Sequence, residues 1–175
     1  MAVFTVIDHT ELSGSASSYD VTSISASYDH LYFVASARSD QSGAYQDFCH
    51  FYLNNDTTAS NYSSTWLIAS TATPTSSRAT TYSWGGNIDG PSSLADTFSP
   101  VVMWIPNYSN TTGYKQILFR SAGPNNSTTD DQWALGISAS LWQSTAAIDR
   151  FTWQPYGSDN FVQYSTFTLY GVTGA

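Results

Sequence analysis

Hydrophobic and polar residues alternate with a period of two along many short stretches of this chain. The clearest case covers residues 132–153, which read as a strand, a short polar turn and a returning strand. Only an extended strand places every second residue on one face, so this alternation predicts β-structure. We expect the large side chains of the ribbon to face inward and the small ones outward. The large ones are Trp133, Leu135, Ile137, Ala139 and Leu141, and the small ones are Ala134, Gly136, Ser138 and Ser140.

Further apolar segments bounded by Gly, Pro, Asn and Asp predict roughly ten or eleven short strands, which is typical of a sandwich or barrel. Residues 31–37 are apolar on both faces, as in a central strand covered on both sides. Residues 80–84 should be extended and stop at Gly85-Gly86, before an irregular connection over 87–99. No stretch keeps a period of 3.6, so helix should be minimal, and the first and last strands are expected to be neighbours.

The pattern therefore predicts an all-β fold, a single-domain antiparallel β-sandwich over residues 1–175. Aromatic residues make up 15% of the chain and charged residues 10%, against about 25% charged in typical domains. Ser, Thr, Asn, Gln and Gly must therefore cover most of the surface, as is common in extracellular and virion proteins.

The net charge of −8 comes from thirteen acidic and five scattered basic residues. Nucleic-acid binding needs a basic stripe, and anionic membranes also attract basic segments, so neither is an expected partner. No apolar run approaches the length of a membrane-spanning helix, and we expect no secretory signal at the N-terminus.

Candidate chemistry is sparse. Cys49, between Phe48 and Phe51, is expected to be a small buried side chain, and His9, His30 and His50 are dispersed. Nucleophile-elbow, zinc-protease, P-loop and dinucleotide motifs are absent. The sequence therefore predicts a protein that is not an enzyme and has no cofactor or metal.

Two minority alternatives stay open at this point. Most acidic residues sit at turns, where Asp bonds nearby backbone amides, yet a pair of carboxylates flanking a cleft would suit a glycan hydrolase. Residues 54–56 or 130–131 would offer oxygen ligands for Ca²⁺, although their spacing matches no known loop.

Aromatic residues in predicted loops or at strand ends are the remaining binding candidates. Trp84, Tyr108 and Tyr156 lie beside Gly, Asn or Pro, and exposed rings at such places stack on sugars or anchor a protein partner. We take these three as candidate surface-contact residues, with core packing as the equal alternative for each.

Several segments together resemble the small jelly-roll β-sandwich virion proteins of tailed phages. The resemblance is carried by Leu141-Trp142-Gln143-Ser144-Thr145-Ala146-Ala147-Ile148 with its following strand, Phe161-Val162, residues 165–172, residues 31–39, Asn61-Tyr62-Ser63, and Ile105-Pro106-Asn107-Tyr108 with Asn125-Asn126. These are strand and turn motifs that touch most of the chain and include no catalytic residue.

The resemblance implies a jelly-roll-like sandwich and a capsid decoration, or cement, protein. Such a protein would form a homotrimer, bind the major capsid protein and reside on the capsid surface of the virion. Similar sandwiches at tail-fibre tips bind host surface sugars, so a tail-associated receptor- or carbohydrate-binding module is the alternative, with a host glycan as its partner.

Overall fold

The computed structural model describes residues 1–124, 127–129, 132 and 134–174, and these ranges contain twelve strands and one short 3₁₀ turn, Ala59–Asn61. No helix in the described part of the chain is long and apolar enough to cross a bilayer. The strands are β1 Val3–Glu11, β2 Tyr19–Val21, β3 His30–Ala37, β4 Gln46–Leu53, β5 Tyr62–Ala69, β6 Thr75–Ala79, β7 Trp84–Asp89, β8 Ser99–Pro106, β9 Lys115–Gly123, β10 Ala134–Trp142, β11 Phe151–Pro155 and β12 Thr166–Thr173.

The strands form two antiparallel sheets, so the predicted all-β sandwich is confirmed. The large sheet has the order β1-β12-β3-β8-β9-β10-β5-β6, and the small sheet has the order β2-β11-β4-β7. The first and last strands, β1 and β12, pair as the sequence predicted. The strand over residues 31–37 is central in the large sheet, but its outer face stays half-exposed rather than covered.

Residues 132–153 were predicted to form a strand and its returning partner. This prediction is wrong, because the two strands do not pair with each other. β10 pairs with β9 and β5 in the large sheet, whereas β11 pairs with β2 and β4 in the small one. The polar connection between them crosses the sandwich. Asn54 fixes its course, because its side-chain nitrogen donates to Ala147 O and its side-chain oxygen accepts from the amides of Asp149 and Arg150.

The facing of β10 is also opposite to the prediction. Leu135, Ile137 and Ala139 point to solvent, while Gly136 and Ser138 are buried together with Ala134 and Ser140. Trp133 lies outside the described residues. From Ala134 to Ser140 the large side chains of this strand are therefore outside the sandwich and the small ones inside, whereas Trp142 at its end is buried.

Strand β7 provides the physical reason. It is the last strand of the small sheet, and it packs against β8, β9 and β10 of the large sheet. Three of its amides donate to serine hydroxyls of the facing sheet: Trp84 N to Ser64 Oγ at 3.2 Å, Asn87 N to Ser121 Oγ at 3.1 Å, and Asp89 N to Ser99 Oγ at 2.8 Å. Such close approach leaves room for a large side chain between the sheets only where a small residue lies opposite it.

Glycines complete this close approach. The predicted stop at Gly85-Gly86 is wrong, since both glycines lie inside β7. Gly86 has a positive φ of 92°, and a Cβ there would lie 2.0 Å from the Phe119 ring. Opposite, a Cβ on Gly136 would lie 2.7 Å from Cη2 of Trp84. Side chains at these positions would separate the two layers.

The other half of the interior is filled with aromatic rings. The centroids of Trp153 and Phe161 are 4.9 Å apart, as are those of Phe161 and Phe167, and Phe33 lies 5.3 Å from Trp153. All four residues are fully buried or nearly so. Burial of each large apolar side chain stabilises the fold by about 1.5–3 kcal/mol. The core is therefore wide and aromatic under β3 and β12, and thin under β9 and β10.

The close approach of β7 predicts opposite outcomes for two equal changes on β10. Gly136→Val should reduce the free energy of unfolding by about 1–3 kcal/mol, because the added atoms overlap the Trp84 ring. Ala139→Val, on the exposed face of the same strand, is the matched control and should change it by less than about 0.5 kcal/mol. Guanidinium-induced unfolding measures both, and equal losses would contradict the inward facing of Gly136.

Candidate functional site

The outer face of the large sheet carries the most prominent exposed feature of the described chain. Leu118 on β9 is 59% exposed, and Ile137 on β10 is 51% exposed. Cross-strand pairing aligns these residues into rows that run across the sheet. One row reads Tyr170, Tyr32, Trp104, Leu118, Ala139, Thr65 and Arg78, and the next reads Thr168, Val34, Val102, Arg120, Ile137, Leu67 and Ser76.

Two grooves lie side by side on this face and share Trp104 and Leu118. One, of about 510 Å³, extends toward β5 and β6 and includes Arg78 and Gln116. The other, of about 370 Å³, extends toward β3 and includes Tyr32. The strands they cross, β3 to β6, are five inter-strand spacings apart, which is about 24 Å. We call these two grooves and the rows around them the outer-face trough.

The charge of the outer-face trough differs from that of the chain as a whole. Arg78 and Arg120 are exposed there, and within the described residues neither guanidinium has a hydrogen-bond or ion-pair partner. The register places no carboxylate on this face among the described residues from β12 to β6. A chain with a net charge of −8 thus presents a locally cationic surface.

The other three basic side chains are engaged elsewhere. Arg150 pairs with Asp20 at 2.9 Å. Arg38 donates to carbonyl oxygens of the loop after β7, including Leu94 O at 2.8 Å. Lys115 is buried and donates to three carbonyl oxygens, one of them Asn110 O at 2.7 Å. The unengaged cations of the described chain are therefore both on the outer-face trough.

Two of the three predicted surface-contact aromatics lie in the core, so that prediction is wrong for them. Trp84 is 1% exposed and stacks on Trp66 at 5.8 Å. Tyr108 is fully buried, and its hydroxyl donates to Ser25 O. Tyr156 is 51% exposed and stacks on the His50 ring at 5.2 Å. The three residues are not brought together, and any contact made by Tyr156 stays a prediction.

Histidines and the cysteine are held in separate structural settings. His9 Nδ1 lies 2.8 Å from Thr168 Oγ1, and His30 Nδ1 accepts from the amide of Asn107. His50 is 8% exposed, because the rings of neighbouring tyrosines cover it. Cys49 is buried as predicted, and burial raises the pKa of its thiol. Within the described ranges no three His, Cys, Asp or Glu side chains cluster as metal ligands.

The oxygen-rich segment over residues 54–56 serves the fold. The Asp56 carboxylate accepts from Trp142 Nε1 at 2.8 Å, Asn61 Nδ2 at 2.8 Å and the Thr58 amide at 3.0 Å. Asn54 is occupied by the connection that crosses the sandwich. These oxygens are used within the chain. The second Ca²⁺ candidate, Asp130-Asp131, lies outside the described residues.

Two buried ionisable side chains on β4 have strongly shifted pKa values. Asp47 is fully buried, and burial, with the nearby charges of Asp159 and Asp40, raises its pKa to about 6. Within the described structure its carboxylate oxygens make no hydrogen bond of good geometry, and the nearby Ser39 side chain and Phe48 backbone lower the pKa by less than burial raises it. Burial lowers the pKa of His50 to about 4. In both side chains burial disfavours the charged form, which is the carboxylate of Asp47 and the imidazolium of His50.

Comparison with known proteins adds little. No protein-family model matches the chain, and no protein of curated function does. Scytalido-glutamic peptidase, solved with a peptide-based transition state analogue, is 14% identical over 92% of this chain and 74% of that one, with a TM-score of 0.29. Alginate lyase Aly36B is 13% identical over 83% of this chain and 71% of that one, with a TM-score of 0.22. Similarity this low carries no argument about function.

Sequence reasoning missed the outer-face trough, although it singled out the residues that build it. The alternation in β10 identified two faces correctly, but hydrophobicity assigned the large side chains to the interior. The available signal was the run of Ala134, Gly136, Ser138 and Ser140 on the opposite face, together with Gly85-Gly86 in β7. That run indicates a close approach of two backbones.

The two shifted groups on β4 predict opposing pH dependences of stability. Because the pKa of folded Asp47 lies above its unfolded value, its contribution is present at low pH and is lost as pH rises through about 6. Because the pKa of folded His50 lies below its unfolded value, its contribution is present at neutral pH and is lost as pH falls from about 6.5 toward 4. Between pH 4 and 6 the two contributions oppose each other in the wild-type protein.

Asp47→Asn should remove the contribution of Asp47 to the pH dependence of stability and retain that of His50. The variant should be more stable than wild type at pH 7 by on the order of 2 kcal/mol, and close to wild type at pH 4. Its stability should rise more steeply than that of wild type between pH 4 and 7. Thermal or urea unfolding across this range measures the effect, with the exposed Asp96→Asn as the matched control. Equal gains from both changes would contradict the burial of Asp47.

Proposed function

We propose that this chain is a non-enzymatic structural protein of a tailed-phage virion, a decoration subunit that binds the major capsid protein and stabilises the head. The observation that carries the proposal is the outer-face trough, where apolar side chains of adjacent strands lie open to solvent. Soluble monomers rarely expose contiguous apolar patches of more than a few hundred Å², and larger ones mark interaction sites. The resemblance to phage jelly-roll proteins supports the virion as the location.

The chemistry of the trough favours a protein as the occupant. Leu118, Ile137 and Leu67 are exposed aliphatic side chains, which gain by excluding water against another apolar surface. They offer no hydrogen bonds to sugar hydroxyl groups. Sugar sites need several polar groups around a stacking ring. Trp104 contacts the rings of His30 at 4.7 Å and Tyr32 at 6.0 Å, and the groove it shares with Tyr32 is lined mainly by apolar side chains. A partner protein with matching apolar side chains fits this surface best.

The two unpaired arginines indicate the charge that the partner surface should carry. Arg78 and Arg120 lie on adjacent rows of the trough, so a partner that places carboxylates there would form charge-assisted hydrogen bonds with them. Face-to-face packing of two copies would instead bring arginines toward arginines. The proposed capsid surface is therefore apolar at its centre and acidic where it meets these two side chains.

A tail-associated carbohydrate-binding module is the second candidate, and a different surface favours it. Tyr156 is exposed and stacks on His50, beside Tyr52 and Tyr82. Phe48 and Tyr82 also line a nearby groove of about 310 Å³. Stacked rings of this kind bind the apolar faces of sugars. Host glycans on an array, with Tyr156→Ala as the comparison, test this candidate.

Substitutions on the outer face should weaken capsid binding if the leading proposal holds. Leu118→Lys should weaken binding to purified heads at least tenfold, because it inserts a charge at the centre of the apolar surface. Arg120→Glu should also weaken binding, and more strongly at low salt than at high salt. Co-sedimentation of labelled protein with heads measures both affinities.

The control is Leu94→Lys, which changes an exposed leucine in the loop after β7 and should leave binding intact. Circular dichroism of each variant confirms that the fold persists. Retained binding by Leu118→Lys would contradict the proposed surface. Immunogold labelling confined to the tail would contradict the head location and favour the second candidate.

A further inference from the structure

The edge of the large sheet formed by β1 differs from the other three sheet edges. A sheet edge carries unpaired N–H and C=O groups that accept another strand, so proteins shorten, charge or cover their edges. At the opposite edge, β6 has five residues, of which four are polar and one of these is Arg78. β2 has three residues and includes Asp20. The edge amides of β7 are satisfied by serines of the facing sheet.

The first half of β1 has none of these protections. Val3, Phe4, Thr5 and Val6 are uncharged, favour strands, and are all exposed. Their position is fixed, since they pair with β12 and Phe4 contacts the Tyr32 ring edge-to-face at 5.5 Å. Protection begins only at the register shift between Val6 and Asp8, where a bulge interrupts the ladder and the first carboxylate follows.

We propose that β1 pairs with β1 of a second copy of this chain to form a two-fold symmetric dimer. Antiparallel pairing centred on Thr5 is the register that fits these residues. It places Phe4 of one copy opposite Val6 of the other, and aromatic residues pair favourably with β-branched ones across strands. The ladder spans residues 3–7 of each copy and ends at the bulge before Asp8, so no carboxylates face each other.

A second copy of the chain is the partner that best matches the β1 edge. Edge pairing needs a strand with free backbone groups and uncharged side chains, and among the described edges only β1 offers both. A two-fold axis lets one such edge satisfy its own equivalent. The trimer implied by the phage resemblance would need a different contact, so the measured mass separates the two assemblies.

The dimer would join the two large sheets with their outer faces on the same side. If the proposed capsid role holds, two outer-face troughs would then face one lattice, and binding at the first would raise the effective concentration at the second. The dimer itself does not depend on that role. A subunit that never bound a capsid would still pair through β1.

Sedimentation velocity tests the dimer in the wild-type chain. A ladder of about five residues buries little area, so dissociation should fall in the micromolar to millimolar range. The weight-average mass should rise from 19.1 kDa toward twice that value as concentration increases. A mass that stays at one chain, or that approaches three chains, would overturn the proposal.

A charge swap at Thr5 locates the contact. Thr5→Lys and Thr5→Glu each place like charges opposite one another at the two-fold axis, so each should weaken association about tenfold. An equimolar mixture of the two variants should restore it, because Lys then faces Glu. Thr5 is exposed in the monomer, so neither change should unfold the protein. Failure of the mixture to recover association would overturn the register.

Two further variants exclude other contacts. Ser77→Lys makes the same kind of change at the β6 edge, where Ser77 is exposed, and should leave the dimer intact. Leu118→Lys, which would disrupt association through the outer face, should also leave it intact. Loss of association in either variant, with retention in Thr5→Lys, would overturn the assignment to β1 while leaving the capsid proposal to its own test.

Discussion

The close approach of β7 to the large sheet is the constraint on which the rest of the structure depends. Its edge amides donate to the hydroxyls of Ser64, Ser99 and Ser121, each from a different strand of the facing sheet. Ser64 is itself tied to Ser140 at 2.8 Å and to Tyr82 O at 2.8 Å. Each such bond contributes about 1 kcal/mol, and a lost one would leave a buried polar group unpaired. A sheet edge is thereby closed inside the sandwich.

This closure determines what the outer surface looks like. On β10 small residues face inward beneath β7, and the alternation of the strand then sends the larger Leu135 and Ile137 outward. On β9 the inward positions are taken by Ile117 and Phe119, so the same alternation leaves Leu118 exposed. The outer-face trough is thus a consequence of the interior packing. Its unpaired arginines are the separate feature that gives it a preference for an acidic partner.

Polar side chains replace ion pairs in holding the loops. Arg38 and Lys115 both bind carbonyl oxygens rather than carboxylates. Asn54 and Asp56 tie the connection between β10 and β11 to the end of β4. Only 10% of the residues are charged, and the loops are still held in place because backbone carbonyl and amide groups bond the polar side chains. The aromatic half of the core, around Trp153, provides the apolar burial.

The sequence by itself determined the all-β class, the pairing of β1 with β12, the burial of Cys49 and the existence of two distinct faces on β10. Those features follow from local alternation and from turn residues, which act over a few positions. Only the tertiary structure decided which face of β10 is inside, where the chain crosses between sheets, and that Trp84 and Tyr108 are core residues. These outcomes depend on how closely another strand approaches, and a local run of small residues permits a close approach without specifying which strand makes it. Gly136 is small in any register, but it is buried because the Trp84 ring lies directly above it.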